Sequence, residues 1–90
     1  MQYSFDPAKN AENLRKHGVS LADGDGVLHD PFAITIADEE ATGEERWVTI
    51  GTNYLGATMV VVWAARGDWI RIISVRTADP RERRAYEEDS

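Results

Sequence analysis

The chain has 90 residues, with 10 Lys and Arg against 16 Asp and Glu, a formal net charge of −6, 42% hydrophobic residues and no cysteine. This length predicts one domain over residues 1–90 with a single modest core, and the lack of cysteine excludes disulfide and thiolate chemistry. The acid excess speaks against a nonspecific nucleic-acid coat. The polar N-terminus and the short Met59–Ala65 apolar run predict a cytoplasmic chain with no signal peptide and no membrane span.

Tyr3–Phe5 reads as a short strand. Asp6-Pro7 opens a helix, with Asp as N-cap and Pro at the first helical position, and His17-Gly18 closes it with glycine just past the end. Ser20 caps a second helix over about Leu21–Leu28, weakened by Gly24 and Gly26 and stopped at Asp30-Pro31. Strands follow over Phe32–Ala37, Arg46–Thr52, Ala57–Arg66 and Trp69–Arg76. They are separated by an acidic loop over Asp38–Glu45, a turn at Asn53–Gly56 and a two-residue turn at Gly67-Asp68. Asp79, Pro80 and Glu82 begin a final helix as N-cap, first residue and capping-box partner. The order β-α-α-β-β-β-β-α predicts an α+β fold. Its sheet would be an antiparallel meander, with the helices segregated to one side.

Charge is unevenly placed along this order. From Arg66 to Tyr86 there are six arginines (66, 71, 76, 81, 83 and 84) against Asp68, Asp79 and Glu82, while residues 1–65 hold four basic and ten acidic groups. A basic segment on an acidic body points to an anionic partner, either RNA or an acidic protein. The Gly67-Asp68 turn predicts that Arg66 faces Trp69, Ala64 faces Arg71 and Val62 faces Ile73. A three-residue loop at Tyr54–Gly56 then puts Arg46 opposite Ala64 and Trp47 opposite Trp63. Arg46, Arg66 and Arg71 would share one face, and Trp47, Val61, Trp63, Ile70 and Ile72 would form the core on the other. Arg76 lies five residues beyond Arg71, so a regular strand points it away; a bulge or bend would re-aim it.

The sequence has no phosphate-binding glycine loop, nucleophile elbow or zinc spacing, so no metal or cofactor is expected. The chemistry that fits is phosphodiester cleavage by the ribose 2′-OH, which needs a base, an acid and cations around the phosphorane oxygens. Arginine suits the last role because its fork stays charged and binds phosphate through two N–H groups. Plainer readings stand beside each candidate. The arginines suit solvated pairs with Asp and Glu, and His17 suits a helix C-terminus. Glu44 and Glu45 suit a solvated loop, Lys9 a helix surface, and the charges after Arg81 ordinary helix pairs.

Several pieces in order carry a resemblance. They are Phe5-Asp6-Pro7-Ala8-Lys9, Asn13–Ser20 (NLRKHGVS), Asp30-Pro31, Gly43–Arg46 (GEER), Ile50-Gly51, Val60–Val62, Arg71–Arg76 (RIISVR) and Glu82–Tyr86 (ERRAY). Together they resemble the BrnT family of type II toxins. The resemblance implies a RelE-like fold and a ribosome-independent, metal-independent endoribonuclease that inhibits growth. It also implies a BrnA-like ribbon-helix-helix antitoxin that neutralises the toxin, joins it in a hetero-oligomer, makes the DNA contacts and represses the shared operon with it. The polar positions that match the family are Lys9, His17, Glu45, Arg46, Arg71, Arg76, Glu82 and Tyr86. Arg46, Arg66, Arg71 and Arg76 are the candidate RNA contacts. Glu45 and Lys9 are the candidates for proton transfer, with His17 behind them. The alternative is a catalytically weak or inactive chain that only binds antitoxin and tunes repression.

Overall fold

Asp6 starts the first helix as its sequence predicts: the carboxylate accepts from the Ala8 N–H, and Pro7 follows at the first helical position. The helix ends at Gly18, whose left-handed backbone (φ 72°) lets its N–H reach the Leu14 carbonyl. This computed structural model describes residues 2–39, 43 and 45–89, with side chains described through Glu88. Of the acidic loop, Glu40, Ala41, Thr42 and Glu44 lie outside the described residues. The strands are β1 (Gln2–Ser4), β2 (Ile34–Ala37), β3 (Arg46–Thr52), β4 (Thr58–Arg66) and β5 (Trp69–Thr77), and the helices are α1 (Pro7–His17), α2 (Gly24–Leu28) and α3 (Pro80–Asp89). The expected second helix is divided: a 3-10 turn over Leu21–Asp23, capped by Ser20, precedes the short α2.

The two glycines that weaken α2 as a helix are needed for its packing. A Cβ on Gly24 would lie 3.1 Å from Val75 and 3.3 Å from Val61, and one on Gly26 would lie 2.8 Å from the Tyr54 ring. Gly24 lets α2 lie directly on the sheet, and Gly26 makes room for the Tyr54 ring of the β3–β4 turn.

The sheet has five strands in the order β1-β5-β4-β3-β2. Strands β2 to β5 form the expected antiparallel meander, but β1 pairs parallel with β5, so the sheet is mixed. The chain returns to β5 only after the whole meander has formed, and three residues of β1 give no hint of their partner. The β3–β4 register is as expected, with Arg46 opposite Ala64 and Trp47 opposite Trp63.

The β4–β5 register holds from Arg66↔Trp69 to Trp63↔Ile72, and then a bulge shifts it by one residue. Val62 therefore faces Ser74, not Ile73 as the regular register had it, and Ile73 is the extra residue.

One face of the sheet is the core. Leu21 and Val27 pack there against Met59, Val61, Ile70, Ile72 and Val75, with Tyr3, Phe5 and Trp63 alongside. Trp47 and Trp63 stack across β3 and β4 at 6.1 Å between ring centroids. The Trp63 indole N–H donates to buried Thr49 Oγ1 at 2.8 Å, and that hydroxyl also bonds the Thr35 hydroxyl. Thr49→Val orphans the indole donor, and a loss of about 1–2 kcal/mol in urea unfolding is expected.

Not all helices share the core side. Arg76 and Thr52 belong to the opposite face, and they contact Glu82 and Tyr86 of α3. The last helix therefore covers one end of the arginine-bearing face. The β5–α3 connection is short, and the Arg76 and Thr52 contacts hold α3 there.

Candidate functional site

The second face is ordered in rows across the strands. The first row runs Arg46–Ala64–Arg71–Ser4, from β3 to β1. Ala64 is fully buried between its two arginine neighbours, both half-buried. Arg66 and Trp69 form the adjoining pair on this face at the hairpin end, and both are exposed. The middle row is Ile36–Val48–Val62–Ser74, with Ile36 59% exposed. Next comes Ile34–Ile50–Val60–Arg76. The face is thus an aliphatic platform with arginines at both ends, their rows four strand residues or about 13 Å apart.

Arg76 reaches this face because of the bulge. Without the extra residue at Ile73, its position five beyond Arg71 would point it into the core.

Its guanidinium makes two 2.7 Å bonds to the Glu82 carboxylate. That carboxylate also accepts from the Asp79 N–H, while Asp79 Oδ1 accepts from the Glu82 N–H, so the expected capping box is complete. The Arg76 bonds hold the Glu82 carboxyl below its usual range against the opposing effect of burial, and Glu82 raises Arg76 in turn. Glu82 therefore caps α3 and orients Arg76 at once.

Arg71 differs. Its side chain has no hydrogen bond or ion pair among the described residues.

Lys9 and His17 are exposed on α1 and line a groove between that helix and β5, together with Glu12, Asn13, Lys16, Ile73 and Ser74. Ser74 belongs both to the middle row and to this groove, so the bulge joins the two surfaces. Glu45 is exposed immediately before β3. Among the described residues, no three His, Cys, Asp or Glu side chains gather as metal ligands would.

Tyr86 lies elsewhere. It is buried, and its hydroxyl donates to Asp30 Oδ2. The same carboxylate accepts from the Thr52 N–H and hydroxyl and from the Phe32 N–H. Burial alone would raise the Asp30 carboxyl; the bonds from Tyr86, Thr52 and Phe32 outweigh it and hold it at about 2. Bonding to Asp30 raises the Tyr86 phenol in turn.

Beyond their places in the family resemblance, Asp30 reads in the sequence as a helix stop and Asn13 carries no assigned role. Asp30's Asx turn to Phe32 was a local signal, but its bonds to Thr52 and Tyr86, and Asn13's bonds to Val75, cross long stretches of chain.

This mixed sheet with its flanking helices is an architecture already known. It is similar to the 1.1 Å crystal structure of the Brucella abortus ribonuclease toxin BrnT, with a TM-score of 0.68 and 23% sequence identity, covering 88% of this chain and 99% of that one. No curated protein matches the sequence. Residues 5–82 match the family described as the ribonuclease toxin BrnT of type II toxin–antitoxin systems, and the chain belongs to that family. It is accordingly a toxin-family protein with an antitoxin as its implied partner. Among the described residues, no helix is long and apolar enough to cross a membrane.

Proposed function

We propose that the chain is a metal-independent endoribonuclease that acts in the cytoplasm and binds RNA across the arginine-bearing sheet face. The carrying observation is the pair of arginine rows set on one face by the Ile73 bulge. Arg46, Arg71 and Arg76, with Arg66 at the rim, hold the phosphates, and the aliphatic middle row receives the bases. The ribose 2′-OH attacks the adjacent phosphorus, the P–O5′ bond breaks, and a 2′,3′-cyclic phosphate and a free 5′-OH result. Arginines stabilise the phosphorane charge. Glu45 takes the 2′-OH proton and Lys9 supplies one to the leaving oxygen, with His17 in the same groove as Lys9. Glu82 and Tyr86 support this arrangement by holding Arg76 and α3. The partner is a ribbon-helix-helix antitoxin that covers this face, contributes the DNA contacts and forms a co-repressing hetero-oligomer. Inducing the chain alone in bacteria should stop growth and degrade RNA, and co-expression of the antitoxin should restore both. Normal growth with intact RNA is the contrary result.

A second reading is an inactive module that only binds antitoxin, favoured by the Glu82 carboxylate already occupying Arg76. Glu82→Gln tests whether that carboxylate withholds Arg76 from RNA. It keeps an acceptor for the Asp79 N–H and removes the charge opposing Arg76. Severalfold tighter RNA binding at low salt is expected in a fluorescence titration, and unchanged binding would detach Arg76 from RNA.

A further inference from the structure

Two partners in succession hold the outer edge of β5. β1 pairs with it over Trp69–Arg71 and then ends. Beyond the bulge, Val75 is fully buried, and its backbone is bonded on that side by one side chain, Asn13. Asn13 Nδ2 donates to the Val75 carbonyl at 2.7 Å, and Oδ1 accepts from the Val75 N–H at 3.3 Å. Nδ2 also donates to the Val19 carbonyl at 2.8 Å. Asn13 is only 6% exposed. Its amide offers the donor and acceptor of a peptide group, so one side chain replaces a missing strand. Aspartate would lose both donated bonds, and an aliphatic residue all three.

The position of these bonds matters. They lie past Ile73, on the segment whose register the bulge has shifted. If β5 ran on regularly from its hairpin turn, Val60 would face Val75 and Met59 would face Arg76. Arg76 would then enter the core side and Val75 would leave it. The Asn13 bonds specify Val75 in its shifted place, and Arg76 is the next residue.

We propose that Asn13 is a positioning residue of the RNA site: it anchors the bulged half of β5 and so sets Arg76 on the same face as Arg71. The proposal rests on Arg76 as a phosphate ligand.

The test compares wild type, Asn13→Ser, Arg76→Ala and the double variant, with Asn13→Ala as a more severe form. Asn13→Ser keeps a hydroxyl and leaves room for a water, which favours a folded product. Each is assayed at a temperature where circular dichroism shows it folded. Asn13→Ser should lower kcat for RNA at least tenfold, and Arg76→Ala should add little to it, because both act through one guanidinium. Equal effects of Arg76→Ala in both backgrounds, or full turnover in Asn13→Ser, would overturn the proposal.

The Arg76 Nε–H resonance gives a second readout that needs no activity. It should shift in Asn13→Ser as the Glu82 pair is disturbed, and an unmoved resonance contradicts the positioning role. A wild-type protein that cleaves nothing removes the ribonuclease reading, while this resonance still decides whether Asn13 places Arg76.

Discussion

Arg71→Ala should lower RNA turnover by about 100-fold or more while changing unfolding free energy by no more than about 0.5 kcal/mol. The separation of the two effects follows from its surroundings. Arg71 is half-buried in the first row, beside Ala64 and across from Arg46, and its side chain has no bonded partner among the described residues. Its removal strands no buried acceptor. Under the proposed reaction, what is lost is a guanidinium beside the phosphate that reacts. Arg71→Lys should recover part of the activity, because it restores the charge but not the two-pronged geometry. Arg76→Ala should lower turnover too, but it also leaves the Glu82 carboxylate without its cation, so stability falls with it. Cleavage of a quenched fluorescent RNA, measured beside urea unfolding, distinguishes the two. An Arg71→Ala protein that cleaves normally would remove this face from the reaction.

Asp30→Ala should be a severe change to the fold, costing about 3 kcal/mol, a large part of the stability of a chain this small. Four donors from three separate segments converge on its carboxylate: the Phe32 N–H, the Thr52 N–H and hydroxyl, and the Tyr86 hydroxyl. Tyr86→Phe should cost less, about 1 kcal/mol, because Asp30 keeps its other donors and the ring stays buried.

The same site gives a pH dependence. The folded carboxyl is held at about 2, below its ordinary value of 3.8, so the unfolded chain binds more protons between these values. Its stabilisation is fully present above about pH 4 and is lost as pH falls through 2. The lowered Glu82 carboxyl adds in the same direction. Asp30→Asn should flatten the acid limb of the stability curve, and an unchanged limb would show that other groups dominate it.

Local chemistry was legible in the sequence. The Asp6 and Asp79 caps, the Gly18 stop and the two hairpin turns each depend on a few neighbouring residues, and from them followed the pairing of Arg46 with Ala64 and Arg71. The bulge was not legible, because Ile73 follows Ile72 in the stretch Ile70–Val75 (IRIISV) with no glycine or proline to mark it. Parity therefore placed Arg76 with the core face or the rim, away from Arg71, and only a bulge or bend could bring the two together. The parallel placement of β1 and the position of α3 on the arginine face depend on contacts formed only when the chain closes on itself. Asn13 reads from sequence as one more polar helix residue, and its function is visible only beside Val75.

The most direct test is to incubate the purified chain with end-labelled RNA in excess EDTA and to analyse the new termini. Fragments ending in 2′,3′-cyclic phosphate are expected, formed far more slowly by Arg71→Ala and blocked by stoichiometric antitoxin. Intact RNA from a folded protein that still binds its antitoxin would contradict the ribonuclease reading.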